Sequence, residues 1–448
     1  MPTTFSDALS RQPLRAFSVL AFLICMLVLV CDGMDAQLLG IVAPLVMEEF
    51  GIEGGTFGIA MSAALVGFGI GSWGGGWLGD RIGRRWSLAL ATVVFSLATI
   101  GASWSGDVWQ MAGWRLLGGL GFGSAYSNAI ALAGEWLPER WRSVGVTTLS
   151  VGTPAGGMVV AALAPGMVEA FGWRGAFIGV GAGTVLVVLL IVFGLRDSPS
   201  FLLARGRSQA AHLAARRVLD GEVELVPEQH ASDRGGAPIG VFDASNRRLN
   251  LGVGIAFAAA ALVAYGILNW TTTFLTAKNF TFEQAAYAAS IAGLTSIASS
   301  IAAGLLVQRF GSRAVLMFIS VALLATLIAL TVKLESLTGA PDAGDRSIVV
   351  ALIGLAAALF SGAIASFYAL MTFAYPSSCR SAGIGFGIFI GRIGAVAASG
   401  LGGWLIELGE GSLVPFFATL CVGAALISAA VVVVDRHVPP VSRRVLAA

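Results

Sequence analysis

Long apolar runs separated by short polar or Gly/Pro-containing breaks dominate this chain. A helix needs about 20 apolar residues to cross a bilayer. Runs of that kind lie near 16–42, 57–79, 87–105, 109–134, 143–168, 173–194, 249–276, 283–308, 312–333, 347–373, 381–407 and 413–434, and they predict twelve transmembrane helices, here called spans 1 to 12. The first run is too long for a signal peptide, is interrupted by Asp32 and Asp35, and has no small-residue cleavage site after it, so it is expected to remain as a helix. The one extended polar stretch, 195–248, divides the chain into an N-terminal six-helix bundle (1–194) and a C-terminal six-helix bundle with a short tail (249–448). It opens with Arg196-Asp197-Ser198-Pro199, continues as an amphipathic surface helix from Phe201 to Leu219, and then turns Gly/Pro-rich through Arg234-Gly235-Gly236-Ala237-Pro238. A cytoplasmic linker is expected there, not a catalytic domain.

Composition strengthens this reading. Hydrophobic residues make up 56% and charged residues 12% of the 448, against about 25% charged in a soluble domain. The fold class expected is an all-α integral membrane protein. Of the 27 Lys and Arg, 21 fall on one set of loops and tails, four on the other (Arg174, Lys278, Lys333, Arg346), and two inside spans (Arg115, Arg392). The positive-inside rule therefore places both termini in the cytoplasm. A net charge of +2 gives no grip on nucleic acid. Cys25, Cys31, Cys379 and Cys421 lie in or beside apolar runs without zinc spacing, so no disulfide framework, metal or other cofactor is expected. No nucleophile with a base appears, so an enzyme is not expected.

The two halves echo each other. Arg81-Ile82-Gly83-Arg84-Arg85 follows span 2, and Arg309-Phe310-Gly311-Ser312-Arg313 follows span 8. Pro138-Glu139-Arg140-Trp141-Arg142-Ser143-Val144-Gly145 follows span 4, and Pro376-Ser377-Ser378-Cys379-Arg380-Ser381-Ala382-Gly383 follows span 10. Duplication of a six-helix unit is implied, as in carriers that rock two bundles about a central site.

At these residues the chain resembles the major facilitator superfamily, whose loop after the second helix carries a Gly-x-x-x-Asp-Arg-x-Gly-Arg-Arg signature, here Gly76 to Arg85. More narrowly it resembles the aromatic acid:proton symporters, marked by Asp32-Gly33-Met34-Asp35 in span 1, with Arg115 to Gly121 and Asn128 to Leu132 in span 4 and Gly391-Arg392-Ile393-Gly394 in span 11 fitting the same group. Gln308 departs from the pattern, since many relatives have Asp there. The resemblance implies import of a small aromatic carboxylate with protons by alternating access, through a carrier expected to work as a monomer. A carrier of another organic acid, an antiporter exporting amphipathic compounds, and a membrane sensor remain as rival readings.

A charge at the bilayer centre costs at least about 2.5 kcal/mol, so such residues normally serve a purpose. Asp32 and Asp35, spaced i, i+3, share one helix face. Two carboxylates that close in a low dielectric do not both ionise cheaply, so one is expected to hold a proton. His212, His230 and His437 all fall in cytoplasmic segments, leaving proton coupling to the carboxylates. Asp35 and Arg115 sit at similar depth. If spans 1 and 4 line the cavity, as the resemblance implies, they form an ion pair, either a contact broken during transport or a static pair fixing helix packing. Asp32, one turn deeper and without an obvious cation at its level in the N-terminal half, is the expected proton carrier. Arg392, near the midplane, offers two parallel hydrogen bonds to a substrate carboxylate; the alternative is a guanidinium spent on backbone carbonyls or on a span 1 carboxylate.

Candidate ring-binding residues are Phe122, Tyr126 and Asn128 in span 4, Tyr265, Asn269 and Trp270 in span 7, and Phe367 and Tyr368 in span 10, although membrane aromatics commonly serve packing or the interface belt. The glycines of span 2 and those around Pro154 read as close-packing, sliding or hinge surfaces. Gly118-Gly119-x-Gly121-x-Gly123 lacks the strand that a nucleotide loop comes after. The turn holding Asp80, Arg81, Gly83 and Arg84 is expected to gate the cytoplasmic side, with Asp80 meeting a basic residue or a helix N-terminus.

Overall fold

A computed structural model describes residues 3–219, 224–226, 240–337, 339–376 and 379–440. His230, Arg234 to Pro238, Ser377 and Ser378 lie outside the described residues. Two short helices (α1, Phe5–Ser10; α6, Glu139–Leu149) accompany the long ones: α2 (Ala16–Phe50), α3 (Gly54–Ile82), α4 (Arg84–Ala102), α5 (Val108–Trp136) and α7 (Gly152–Gly194). After α8 (Pro199–Ala204) and α9 (Ser208–Ala215) come α10 (Arg247–Ala277), α11 (Phe282–Phe310), α12 (Ser312–Glu335), α13 (Ala343–Ala374), α14 (Arg380–Glu407) and α15 (Val414–Val433).

Among the described residues, eleven helices are long and apolar enough to cross a membrane. The sequence predicted twelve spans, and the difference lies in α7. Its 43 residues run unbroken except at Gly172, where φ 68° and ψ 175° leave the helical region and a kink separates two helices. At about 1.5 Å per residue, 43 residues are far longer than a hydrocarbon core of about 30 Å requires. The break between α6 and α7 falls at Ser150 and Val151, and Pro154 then occupies the first turn of α7, where its missing N–H costs nothing. The surface helix expected over Phe201 to Leu219 is instead two short helices, because Gly206 turns the chain with φ +70°.

Caps mark the aqueous ends. Asp107 accepts hydrogen bonds from the Trp109 and Gln110 N–H groups at the start of α5, and Thr281 and Gln284 form a reciprocal capping box on α11. The duplicated turns share one geometry: Gly83 (φ +101°) and Gly311 (φ +82°) each end one helix and begin the next. Only glycine takes that backbone without strain. A side chain at Gly83 would also collide with Asp197, whose carboxylate accepts a hydrogen bond from the Arg85 N–H at 3.1 Å. Burial pushes the Asp197 carboxyl above the usual carboxylate range, against the pull of that N–H.

Without a hydrophobic driving force between helices in lipid, close backbone approach holds the bundle. On α3, a methyl group at Gly71 would lie 2.1 Å from the Leu120 carbonyl of α5, and one at Gly394 of α14 would lie 1.9 Å from the Ala258 carbonyl of α10. The same device joins the helices before residue 195 to those after 247. Gly58 meets the Gly400 backbone, Gly54 meets Gly403, and the Gly55 N–H donates to Glu407 Oε1 at 2.9 Å. Thr272 donates to the Gly40 carbonyl, and Ser290 donates to the Met158 carbonyl at 3.4 Å. These contacts lie at the end of the molecule away from the chain termini. At the other end α1, α8 and α9 pack beneath the first helices, with Phe5 and Phe17 edge-on to Trp136 at 5.8 and 4.6 Å.

Gly71→Ala is expected to cost about 1–3 kcal/mol through overpacking against α5. Gly69 has open space where its side chain would be, so Gly69→Ala is expected to leave stability equal or slightly higher. Thermal unfolding of the two variants in detergent checks the contrast; equal loss at both sites would contradict it.

Candidate intramembrane charge site

Asp35 on α2 is 1% exposed and Arg115 on α5 is 4% exposed. The Arg115 guanidinium donates from Nη1 to Asp35 Oδ2, and also reaches the Asp35 carbonyl at 3.4 Å. Thr99 of α4 donates to the other carboxylate oxygen, Oδ1, at 2.6 Å. Three helices thus meet at one buried ion pair. A second possible partner for the Thr99 hydroxyl, the Phe95 carbonyl, lies at 2.8 Å. Arg115 Nε is buried without a hydrogen-bond partner among the described residues, so the guanidinium is paired but not saturated.

Asp32 lies one turn nearer the chain termini and is 3% exposed. Its carboxylate accepts a hydrogen bond from Thr153 of α7 at 3.2 Å. Among the described residues no cation is in direct contact with it, yet Arg392, Asp35 and Arg115 all lie within electrostatic reach. Close approach sets this geometry: a methyl at Gly33 would meet the Thr153 carbonyl at 2.0 Å, so α2 and α7 bring their backbones together beside Asp32.

Arg392 of α14 faces this pair from the other half of the chain. It donates from Nη1 to the Tyr265 hydroxyl at 2.9 Å, and its Cζ lies 3.8 Å above the centroid of the Phe68 ring on α3. Tyr126, Tyr265 and Tyr368 are all within its electrostatic reach. Tyr126 tilts against Phe68 with centroids 5.7 Å apart, and Tyr368 stands edge-on to Phe257 at 5.3 Å. Arg392, Phe68, Tyr126, Tyr265 and Tyr368 are each only partly buried, although they sit well inside long apolar helices. The arrangement is a cation with polar hydroxyls and aromatic faces on one side and a carboxylate pair on the other.

Five residues expected to touch a ring lie elsewhere. Phe122 is 2% exposed and packs on Phe95 of α4 at 4.6 Å. Asn128 donates to the Gly75 carbonyl, the Ser87 hydroxyl and the Ser124 carbonyl at 2.8, 3.0 and 2.8 Å, tying α3, α4 and α5 together. Asn269 donates to Ser399 at 2.8 Å and Trp270 to the Ala398 carbonyl at 3.2 Å, both between α10 and α14. Phe367 is fully buried beside Phe257, behind Tyr368. Helical angle explains two of these: residues two or five apart point to different faces, so Asn128 cannot share the face of Tyr126, nor Trp270 that of Tyr265.

The turn after α3 pairs within itself and is also held by α5 and by the residue that ends α8. Asp80 pairs with Arg84 at 2.6 Å, and Arg84 Nε lies 3.4 Å from Glu135. Arg81 stacks over Trp77 at 3.9 Å, and Arg205 donates to the Arg81 and Asp80 carbonyls at 2.6 and 3.3 Å. Asp80 here meets an arginine of its own turn.

Phe68, Thr99 and Thr153 were not legible as site residues. The signal for Phe68 was indirect: Gly67, Gly71 and Gly75, four residues apart, mark the face of α3 that packs on α5, and Phe68 stands beside that seam. The threonines are single hydroxyls in apolar runs, and only the partner helix shows what they bond.

Arg115→Gln leaves Asp35 buried without its cation and is expected to destabilise by about 3–5 kcal/mol. Asp35→Asn strands the arginine in the same way, while the double variant is expected to recover part of the loss. Denaturation of the three variants in detergent measures the coupling, and strictly additive losses would rule it out.

Against known proteins, the family model described as Major Facilitator Superfamily matches residues 25–334. The chain is 29% identical to the 4-hydroxybenzoate transporter PcaK of Pseudomonas aeruginosa, covering 94% of both chains, and 27% identical to the gallate transporter of Pseudomonas putida, covering 97% of this chain and 96% of that one. Its fold is similar to the inward open conformation of the xylose transporter XylE from E. coli, with a TM-score of 0.70 at 16% identity over 92% of this chain and 94% of that one. A family match over well more than half of its length, on a bundle whose helices bury paired charges at mid-depth, makes this chain a member of the Major Facilitator Superfamily.

Proposed function

We propose that this chain is a secondary active transporter that imports a small aromatic carboxylate, of the hydroxybenzoate kind, together with protons by alternating access. The observation that carries the reading is Arg392, half-buried among Tyr126, Tyr265, Tyr368 and Phe68, opposite a buried Asp32 that has no cation in contact among the described residues. A flat anion needs one fixed cation and aromatic walls, and a proton-coupled carrier needs a carboxylate able to change charge inside the membrane. The names of the relatives, 4-hydroxybenzoate and gallate transporters, support the substrate class.

In this reading the two parts of α7 are separate spans. That gives twelve crossings in two six-helix bundles, 1–194 and 249–448, joined by the 195–248 linker, in a bacterial inner membrane with both termini in the cytoplasm. The contacts around Gly54, Gly58, Gly400 and Gly403 then close the outer side, and the carrier faces inward. A proton on Asp32 removes a negative charge beside the Asp35 and Arg115 pair. The substrate carboxylate docks on Arg392, and the neutralised site allows the bundles to rock. Importing an anion against a negative-inside potential requires more than one proton for net inward positive charge, and Asp32 with Asp35 supply two carboxylates for it. Asp80, released to Arg84 here, latches the cytoplasmic side when that side closes.

Uptake of labelled 4-hydroxybenzoate into proteoliposomes is expected to rise with an inward proton gradient, and Asp32→Asn is expected to lose that stimulation. Wild-type uptake indifferent to the gradient, or an Asp32→Asn carrier that still responds, would refute the coupling. Asp80→Asn is expected to slow initial rates while leaving equilibrium binding of the acid unchanged; normal rates in that variant would remove the latch.

A further inference from the structure

We infer that Thr99 is a positioning residue for a proton on Asp35: its hydroxyl donates to the ionised carboxylate and accepts from the protonated one, so Asp35 takes up a proton with its contact to Arg115 kept. The inference deepens the reading that Asp32 and Asp35 carry the transported protons, and rests on it. A threonine hydroxyl has one hydrogen and two lone pairs. Thr99 Oγ1 lies 2.6 Å from Asp35 Oδ1 and 2.8 Å from the Phe95 carbonyl, and a single hydrogen points well at only one of these oxygens. Bonding back to the preceding turn is the habit of this helix: Thr92 donates to the Leu88 carbonyl at 2.8 Å and Ser96 to the Thr92 carbonyl at 2.7 Å. Thr99 adds a carboxylate oxygen within the same reach.

The two oxygens of Asp35 are therefore unlike. Oδ2 receives an N–H from Arg115 Nη1, so a proton placed there would face another hydrogen. When Asp35 is ionised, the Thr99 hydrogen points at Oδ1. When a proton drawn from the outer side arrives on Oδ1, that new O–H donates to Thr99 Oγ1, and the Thr99 hydrogen turns to the Phe95 carbonyl. One rotation about the Cβ–Oγ1 bond is the whole change; each polar group keeps a partner, and Arg115 still donates to Oδ2.

What changes is the charge. The Arg115 guanidinium, 4% exposed, is left without a counter-charge, which is costly unless an anion is present. The titratable groups around the pair are Asp32 and Cys31 on α2 and, beyond Asp32, Arg392 on α14; the charged residues of α4, Arg84 and Arg85, stand at its far end. With both aspartates ionised, the two carboxylates cancel Arg115 and Arg392. A bound acid leaves one excess negative charge, a proton on Asp32 removes it, and a proton on Asp35 makes the loaded site positive, so a negative-inside potential draws it inward. Without the acid, the same two protons would leave two buried guanidiniums uncompensated, so Asp35 takes its proton only in the loaded carrier and returns it on the cytoplasmic side.

The test reads the number of protons per acid. At zero membrane potential and an inward gradient of about one pH unit, proteoliposomes accumulate 4-hydroxybenzoate about a hundredfold if two protons accompany each acid and about tenfold if one does. Wild type is expected to reach about a hundredfold, Thr99→Val, which keeps the shape and removes the hydroxyl, to fall to about tenfold, and Thr99→Ser to restore the wild-type ratio. If Thr99→Val does not transport, calorimetry of 4-hydroxybenzoate binding in buffers of different ionisation enthalpy is run on the purified, monodisperse variant, which is expected to take up about one proton fewer than wild type. Wild-type accumulation in Thr99→Val, undiminished proton uptake on binding, a one-proton ratio in wild type, or a Thr99→Ser variant that behaves like Thr99→Val overturns the inference. Wild-type uptake that ignores the gradient altogether overturns the transport reading with it.

Discussion

A charge in the hydrocarbon core must find a partner or lose its charge, and the arrangement of this protein's interior reflects that constraint. Asp35 and Arg115 satisfy it by direct pairing, with Thr99 holding the carboxylate oxygen that the arginine leaves. Asp32 satisfies it only in part, through the Thr153 hydroxyl and the more distant fields of Arg392 and Arg115. Arg392 has a hydroxyl and an aromatic face in place of a counter-ion. The three answers differ in how much a visiting proton or anion could add. The direct pair gains less, whereas the cation without an anion and the carboxylate without a cation gain most, which is why the substrate and the first proton are assigned to them.

Small residues bring these charges close enough to feel one another. Gly33 against Thr153 sets the distance between α2 and α7 beside Asp32, and the Gly67, Gly71 and Gly123 seam sets the position of Phe68 above Arg392. Seams of this type are held by dispersion between smooth surfaces, with few interlocking side chains. Within each half they are reinforced by hydrogen bonds such as those of Asn128 and Thr295. Between the halves the seam of Gly54, Gly58, Gly400 and Gly403 has the Glu407 bond to the Gly55 N–H, and Thr272 and Ser290 add single hydroxyl bonds to the Gly40 and Met158 carbonyls, contacts that can part without tearing a core. Bundles that are rigid inside and weakly joined to each other are what rocking about a central site requires.

The family, the helical architecture and the charged residues at mid-depth were legible in the amino-acid sequence, because each depends on local quantities. Apolar run length measures a bilayer, the duplicated Arg-x-Gly-x-Arg turns demand a positive φ that Gly83 and Gly311 supply, and an aspartate or arginine in an apolar run is conspicuous wherever it lies. Similar depth along two helices was enough to bring Asp35 and Arg115 together as candidates. The rotation of each helix about its axis was not legible, since several helices here are apolar nearly all round and carry almost no directional pattern. Tertiary packing alone turned Tyr126, Tyr265 and Tyr368 toward Arg392 and turned Phe122, Asn128, Asn269 and Trp270 into helix contacts. It also recruited Phe68, Thr99 and Thr153, which nothing in their own segments distinguishes, and it split the expected linker helix at Gly206. Local composition settled which residues lie in the membrane; which of them face one another depended on how glycine seams set the helices side by side.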